Sequence, residues 1–341
     1  MTAADPLLAA TRHAAVVYNP ANAPIDRIRS VVAEHERRHE WSETRWYETS
    51  ADDFGTAAAE RAIADDPAVV IVAGGDGTVR IVAEVINGTG IPIALLPAGT
   101  GNLLAREVGA PLNDIPACVS AAFSGDDRDV DVGVVEFEDG TGARHARVFM
   151  VMAGIGLDAA MAENTSALAK KNLGWLAYVT PIARSIIANR LFHLDYRVDG
   201  GRVRSTRAHT IIVGNCGTLA GNMLLIPAAV IDDGLLDVVM MRPKGRFGWA
   251  RIGTRLTLQG IAARSRLGRR MLLQTPDLQS LAYVQGRQLE ARFDTPHVIE
   301  LDGDSLGHVT KARVSVRPGA LRIRQPNEDP HFLSSPSPTT A

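Results

Sequence analysis

The sequence predicts two domains, a three-layer α/β domain followed by a β-sandwich-like domain that carries helical insertions. In residues 13–126, short apolar runs alternate with stretches whose apolar side chains recur at helical spacing. In residues 127–325 the pattern changes to strand-like runs of period-two alternation separated by turn residues. The last of these strands is a candidate to return to the first domain. The tail at 327–341 is rich in Pro, Ser and Thr, a composition typical of disorder.

The first domain is expected to contain four strands and five helices in alternation. The strands are predicted near 13–18, 43–48, 68–73 and 91–96, and the helices near 24–38, 52–65, 77–88, 100–108 and 113–124. The third helix shows the spacing well, because Val79, Val82, Ala83 and Ile86 form an i, i+3, i+4, i+7 stripe.

The second domain is expected to be mostly strands. These are predicted at 128–138, 144–153, 192–199, 202–214, 235–242, 281–293 and 312–325, with helical insertions near 165–190 and 246–270.

Composition limits the classes of function. A chain of 341 residues is long enough for two domains, and a net charge of −2 gives no basic field for nucleic acid. Cys118 and Cys216 have no metal-binding spacing and are expected to be reduced thiols of a cytosolic protein. No stretch reads as a signal peptide, and no apolar run has the length of a membrane span. We therefore expect a cytoplasmic protein; a homodimer is an open alternative for its assembly.

The segment at 69–80 is the most informative part of the chain. A β-branched apolar run ends at Gly74 and Gly75, and Asp76, Gly77 and Thr78 lead into a helix. Backbone N–H groups and the helix dipole at such a turn favour a phosphate, and glycine lets an anion approach closely. A dinucleotide fingerprint would need a sixth-position glycine where Arg80 stands, and the P-loop pattern is absent. The alternative is an ordinary strand–turn–helix loop with Asp76 as helix cap.

A second turn of the same kind follows the next strand. An apolar run at 91–96 leads into Pro97, then Gly99, Thr100, Gly101 and Asn102, and then a helix. Consecutive β-α units of one parallel sheet would place the two turns side by side at its carboxyl edge, where open α/β sheets bind ligands. Thr100 offers a hydroxyl and Asn102 an amide to the same pocket.

The two turns together resemble those of the diacylglycerol-kinase catalytic domain. GGDGT at 74–78 followed by GTGN-LLAR at 99–106 is the pairing found in this superfamily, which includes bacterial lipid kinases, sphingosine kinases and ceramide kinases. NAD kinases and phosphofructokinases carry a related GGDG turn, so the resemblance implies a first domain like theirs. It extends from about residue 13 to about residue 325 and implies a nucleotide bound between the two domains.

The resemblance implies an ATP site at the carboxyl edge of the first sheet. Asn19 and Thr49 follow the first two strands and match the nucleotide-contacting turns of the family. The implied ATP-binding residues are Asn19, Thr49, Gly74, Gly75, Asp76, Gly77, Thr78, Thr100 and Asn102. Mg²⁺ would bridge the phosphate oxygens, and Asp76 would position that metal or the acceptor hydroxyl.

A second magnesium site is implied in the other domain. The segment at 227–238 is similar to the family signature P-x-A-x-x-x-D-G-x-L-D-V. The implied ligands are the Asp233 carboxylate and the backbone carbonyls of Val230 and Leu235, an all-oxygen set that suits Mg²⁺. The alternative is a solvated hairpin turn, since Asp-Gly is a strong turn signal.

The acceptor side of the reaction is implied by Asp302, Gly303 and Asp304. They resemble the family's D-G-E motif, whose last acid is proposed as the base, so Asp304 is the implied catalytic base and Asp302 supports it. Asp304 is one methylene shorter than the usual Glu, and a turn without catalytic role is the alternative. Arg80 is a second departure, since many members have Asn there; it could contact phosphate or pair with Asp76.

The resulting hypothesis is an ATP- and Mg²⁺-dependent lipid kinase that converts diacylglycerol or a similar lipid into phosphatidic acid or its analogue. Its partner would be a lipid substrate at the membrane surface, with the arginine-rich helix near 246–270 and the apolar stripe at 175–192 as candidate contacts. Core packing is the alternative for both segments. The rival functions are an NAD kinase-like enzyme and a catalytically weak lipid- or nucleotide-binding regulator.

Overall fold

The computed structural model describes residues 12–139, 141–156, 191–219, 223–224, 226, 229–242 and 281–327. The helices predicted near 165–190 and 246–270 and nearly all of the tail predicted at 327–341 lie outside these ranges. Among the described residues, no helix has both the length and the apolar character needed to cross a membrane.

The first part of the chain forms alternating strands and helices, as predicted. Its elements are β1 (Ala14–Tyr18), α1 (Ile25–His39), β2 (Arg45–Glu48), α2 (Thr56–Ala64), β3 (Val69–Gly74), α3 (Asp76–Ile86), β4 (Ile93–Pro97), α4 (Leu103–Glu107) and α5 (Ile115–Ser124). The four strands pair in parallel in the order β4-β3-β1-β2.

Side-chain alternation along the buried strands creates two cores, one on each face of this sheet. Val70 and Val72 of β3 pack in one cluster with α2 and α3, whereas Val69 and Ile71 pack in another with α1 and α5. Both faces are therefore covered by helices, which explains why β3 is apolar at every position. The predicted three-layer α/β architecture is confirmed.

The described residues of the second part of the chain form antiparallel strands almost throughout. They are β5 (Asp126–Glu138), β6 (Arg144–Phe149), β7 (Met152–Ile155), β8 (Phe192–Val198), β9 (Arg204–Ala208), β10 (Thr210–Gly214), β11 (Thr218–Leu219), β12 (Met223–Leu224), β13 (Leu236–Met241), β14 (Leu281–Gly286), β15 (Gln288–Leu301) and β16 (Asp304–Gln325). Their inward faces enclose a third apolar cluster that includes Phe149, Leu194, Ile211 and Leu289.

Two of the predicted runs are each divided into two strands that have different partners, which the alternation pattern could not show. The run predicted at 202–214 is divided at His209, because β9 pairs with β8 whereas β10 pairs with β7 and β13. The run predicted at 281–293 is likewise divided at Arg287, where the Asp199 carboxylate accepts the backbone N–H of Arg287 at 2.8 Å. These corners let the strands enclose the third cluster.

The strand β16 joins the two parts of the molecule. It is 22 residues long, pairs antiparallel with β15 and β5, and ends in parallel pairing with β4, where Ile323 lies opposite Ile93. All but two of the strands consequently belong to a single 14-stranded mixed sheet in the described part of the chain. Leu321 and Ile323 are 1% exposed and pack in the same cluster as the buried faces of β3 and β4.

This arrangement predicts that residues near the end of the chain stabilise the first domain. Replacing Ile323 by Ala should lower the free energy of unfolding by about 2–5 kcal/mol, because the smaller side chain leaves a cavity in a closed core. Urea denaturation measures the effect. Arg322→Ala is the control, since Arg322 is an exposed neighbour paired with Asp129 at 2.9 Å, and its loss should change stability little. Equal effects of the two substitutions would contradict this assignment.

Candidate active site

The four parallel strands end at one edge of the sheet, and backbone hydrogen bonds align the residues that follow them. Asn19 N–H donates to the Ala73 carbonyl at 3.0 Å, and Thr49 N–H to the Tyr18 carbonyl at 2.9 Å. Ala98 N–H donates to the Gly74 carbonyl at 2.9 Å. In the order β4-β3-β1-β2 the connections diverge between β1 and β3, and ligands of open α/β sheets bind at such a point. The GGDGT turn after β3 lies there.

The two glycine-rich turns touch backbone to backbone. A Cβ on Gly99 would lie 2.6 Å from the Gly75 Cα, closer than any real contact, and one on Gly74 would lie 2.6 Å from the Thr78 Cβ. The glycines therefore have a packing role in addition to the approach of an anion that the sequence suggested.

The Asp76 carboxylate ties the first turn to the second. Its Oδ1 accepts the backbone N–H of Leu103 at 2.6 Å, and a Cβ on Gly101 would come within 2.6 Å of its Oδ2. Burial raises the pKa of Asp76, while backbone N–H groups of the second turn oppose that shift. The helix-cap alternative is wrong, because Gly75 is the capping residue of α3 and Asp76 is its first residue.

The Asn102 amide is used inside its own turn. Its Nδ2 donates to the Gly99 carbonyl at 2.8 Å and its Oδ1 accepts the Gly99 N–H at 3.0 Å. Asn102 is buried and has a φ of 48°, in the left-handed region that Asn tolerates better than most residues. The amide therefore shapes the turn, whereas the neighbouring Thr100 is exposed.

The other predicted nucleotide contacts lie along the same edge. The Asn19 Oδ1 accepts the backbone N–H of Ala21 at 3.0 Å, which fixes the turn after β1. Thr49 is buried, and its Cγ2 is 2.7 Å from the position a Cβ on Gly55 would take. Thr78 is also buried, under Gly74, while Gly77 is half-buried. These predicted residues all lie along one edge of the sheet. Their contact with a nucleotide stays a prediction.

Asp302 is buried and holds the backbone between β6 and β7. Its carboxylate accepts the backbone N–H groups of Met150 at 2.7 Å, Val151 at 2.9 Å and Met152 at 2.9 Å. Burial raises the pKa of Asp302 to about 6, although these three donors oppose the shift. With both oxygens occupied by backbone, Asp302 positions the loop before Asp304; the catalytic role predicted for it stays a prediction.

Asp304 reaches from the second domain to the GGDGT turn. Its Oδ2 lies 3.3 Å from the position a Cβ on Gly77 would take and accepts a hydrogen bond from Arg80 Nη2 at 2.9 Å. The side chain of Asp304 is 47% exposed, so a ligand over the turn can reach it. The alternative that Arg80 pairs with Asp76 is wrong, since Arg80 binds Asp304 and Asp76 binds Leu103. Two departures from the family pattern, at positions 80 and 304, were the only sequence signal for this ion pair.

The implied magnesium loop is held against β5 and β16 by a residue that sequence reasoning missed. Asp131 is 2% exposed, and its carboxylate accepts the N–H of Gly234 at 2.6 Å and that of Gly319 at 2.8 Å. The exposed Asp233 Oδ1 accepts the Leu235 N–H at 2.9 Å. Burial raises the pKa of Asp233, and the nearby charges of Asp131 and Asp232 raise it further.

The remaining ligands implied for that loop are backbone carbonyls. Val230 is 46% exposed and Leu235 is half-buried beside it. In the described ranges no group of three or more His, Cys, Asp or Glu side chains could hold a metal. The implied set contains a single carboxylate, so its oxygens would come mainly from the backbone and from water.

Comparison with known proteins decides the family. Residues 13–135 match the model of the diacylglycerol kinase catalytic domain, and residues 150–325 match that of the YegS C-terminal NAD kinase beta sandwich-like domain. The chain belongs to the diacylglycerol kinase catalytic-domain family of lipid kinases. The resemblance predicted from the two turns and the β-sandwich-like class of the second domain are thereby confirmed.

One curated relative supports this family assignment, and two solved structures share the fold. A Pseudomonas aeruginosa protein named "Probable lipid kinase YegS-like" is 32% identical over 298 residues, which cover 84% of this chain and 86% of that protein. A crystal structure of a diacylglycerol kinase from Bacillus anthracis has a TM-score of 0.70 at 21% identity and covers 94% of this chain and 98% of its own. Yeast NADH kinase complexed with NADH shares the fold at a TM-score of 0.51 and 11% identity, covering 97% of this chain and 91% of its own.

The contact between the turns predicts that Gly99→Ala weakens nucleotide binding. The added Cβ must push the second turn away from Gly75. A misplacement of about 1 Å in an element that positions a substrate can lower the reaction rate by about 100-fold. We expect at least a tenfold loss of affinity for an ATP analogue in calorimetry. Gly88→Ala is the control, because its Cβ would meet no atom within 4 Å although its φ is 79°. Unchanged affinity in folded Gly99→Ala would show that the contact is dispensable.

The buried Asp302 predicts a pH dependence of stability. Its pKa of about 6 in the folded state exceeds the ordinary value of 3.8, so the folded protein binds the proton more tightly. The stability that this proton supplies is complete below about pH 4 and is lost as pH rises through about 6, a change of about 3 kcal/mol. We expect the stability of the wild type relative to Asp302→Asn to fall over this range in urea denaturation. A difference that does not vary with pH would contradict the assignment.

Proposed function

We propose that this member of the lipid-kinase family transfers the γ-phosphoryl group of ATP to the free hydroxyl of diacylglycerol or a similar neutral lipid. The product is phosphatidic acid or its analogue, and the reaction depends on Mg²⁺. The observation that carries the proposal is the position of Asp304, whose carboxylate reaches Gly77 of the GGDGT turn from the second domain.

The nucleotide side of the proposal rests on backbone groups that are already fixed. Asp76 and Asn102 use their side chains to hold the two turns together, so the turn N–H groups keep their positions before a ligand arrives. Phosphoryl transfer depends chiefly on positioning and on neutralising charge, for which rigid donors are suited. Gly74 to Thr78 hold the phosphates, with Thr100, Asn19 and Thr49 along the same edge.

In this proposal, Asp304 is the base that accepts the proton of the lipid hydroxyl. The hydroxyl oxygen forms a bond to the γ-phosphorus, the bond from that phosphorus to the bridging oxygen breaks, and ADP leaves. The hydroxyl proton passes to the Asp304 carboxylate. The carboxylate is half-exposed over the turn, so it is open to an acceptor hydroxyl bound there.

Magnesium fits the residues in both implied places. In the turn, Asp76 is the carboxylate that would help to hold Mg²⁺, which would neutralise charge on the phosphate oxygens. In the second domain, the Asp233 carboxylate and the carbonyls of Val230 and Leu235 would hold a structural ion. One carboxylate with backbone carbonyls and water is an all-oxygen donor set of the kind that a hard divalent cation prefers.

The proposed lipid acceptor requires contact with a membrane surface. We propose a cytoplasmic enzyme that binds the surface peripherally and has no nucleic-acid partner. The candidate lipid contacts at 175–192 and 246–270 fall almost wholly outside the described residues, so they stay predictions, as does a homodimer.

The transfer of labelled γ-phosphate from ATP to lipids in mixed micelles tests this function. The acceptors are diacylglycerol, monoacylglycerol, sphingosine, ceramide, undecaprenol and soluble NAD. We expect label on diacylglycerol or a related lipid, its loss when Mg²⁺ is omitted, and a fall of at least about 100-fold in Asp76→Ala and Asp304→Ala.

Matched controls separate the possible results. Asp294→Ala removes an exposed carboxylate elsewhere on β15 and should leave the rate unchanged. Label on NAD alone would replace the proposal with an NAD kinase, whose fold the chain shares. Bound ATP without label on any acceptor would favour a lipid- or nucleotide-binding regulator.

A further inference from the structure

Arg80 lies on α3, two residues after the GGDGT segment, and is buried. Its side chain is 7% exposed, and Nη2 donates to Asp304 Oδ2 at 2.9 Å. Within the described residues, its Nε and Nη1 are buried without a hydrogen-bond partner. A buried guanidinium with unsatisfied donors is unfavourable unless its neighbours compensate for it, so its position requires an explanation.

Two further charges, Glu84 and Arg147, extend this ion pair across the molecule. Arg80 Nη1 lies 3.8 Å from the Glu84 Oε2 on the next turn of α3, and Arg147 Nη1 of β6 lies 3.6 Å from the Glu84 Oε1. Charges of alternating sign therefore run from Asp304 on β16, over α3, to β6. This row holds the guanidinium between the helix that follows the nucleotide turn and two strands of the second domain.

Arg80 and Asp304 differ in solvent exposure, and this difference separates their roles. The guanidinium is enclosed, whereas the Asp304 side chain is 47% exposed beside Gly77. A ligand over the turn can touch Asp304 without touching Arg80. Whatever Arg80 contributes to the proposed reaction must act through the carboxylate that it holds.

We propose that Arg80 is a positioning residue that fixes Asp304 over the nucleotide turn and matches the site to an acid of this length. This inference rests on the proposed function. Asp304 is one methylene shorter than the Glu expected from the family resemblance, and the rigid fork of Arg80 holds the shorter acid from one side. The two departures from the family pattern, Arg80 for Asn and Asp304 for Glu, are then coupled, because each compensates for the other.

A double-mutant cycle on phosphoryl transfer tests this pairing. The four proteins are the wild type, Arg80→Asn, Asp304→Glu and the double variant, each assayed for kcat and for the KM of ATP. We expect each single substitution to lower kcat at least about tenfold while the KM changes less than about twofold, because the acid is misplaced and the phosphate cradle is intact. The double variant should recover much of the kcat, since the longer acid needs no tether.

Two further variants control for loss of charge and loss of structure. Arg322→Asn breaks an exposed Arg–Asp pair on the same strand and should leave kcat unchanged. Arg80→Lys keeps the buried charge without the fork and should have an intermediate kcat; it replaces Arg80→Asn in the cycle if thermal denaturation shows that Arg80→Asn is unfolded.

The outcomes distinguish this inference from the proposed function. If the wild type transfers phosphate but the losses in the double variant are additive, the pairing is wrong and the proposed kinase activity stands. The same holds if both Arg80 variants keep the wild-type kcat. A wild type that labels no lipid would instead overturn the proposed function. Recovery of kcat in the double variant supports both.

Discussion

The pairing of β16 is the constraint on which the rest of the site depends. The strand begins at Asp304 beside the GGDGT turn and ends with Leu321 and Ile323 in the core of the first domain. Between these ends it pairs with β15 and β5, which contribute to the third apolar cluster. A change of register in β16 by one residue would turn each of its buried side chains to the opposite face. The backbone at Asp304 is therefore placed by the two apolar clusters that β16 joins, whereas Arg80 holds its carboxylate.

Polar side chains within the site mostly bind the protein itself. Asp76 binds the backbone of the second turn, Asn102 binds Gly99, and Asp302 binds three consecutive N–H groups. Each of these was predicted from the sequence to meet a ligand or to take part in catalysis. Under the proposed function, backbone N–H groups of the turns and a few exposed side chains are then the groups that face the phosphates. A site organised in this way has little reorganisation left to undergo when a charged ligand binds.

The sequence predicted the first domain well because its signals are local. Buried parallel strands read as apolar runs, and the glycine turns mark their ends, so the boundaries of β3 and α3 were found to within one or two residues. The second domain was predicted less accurately, because one continuous alternation conceals the corners at His209 and Arg287. Asp131 could not be found at all, since its role depends on Gly234 and Gly319, which are remote in sequence.

The contact of Arg80 with Asp304 shows why a site residue can be recognised in a sequence while its environment is not. Both positions were visible as departures from the family pattern, but they are separated by more than two hundred residues, and the sequence offered Asp76 as a nearer partner. A buried ion pair with unsatisfied donors adds little stability, because desolvation of the guanidinium offsets its attraction to the carboxylate. Stability therefore does not account for a buried arginine at this position. What the pair does supply is a fixed distance between the helix that begins at the GGDGT turn and the acid that faces it, and under the proposed function that distance sets where the acid meets the acceptor hydroxyl.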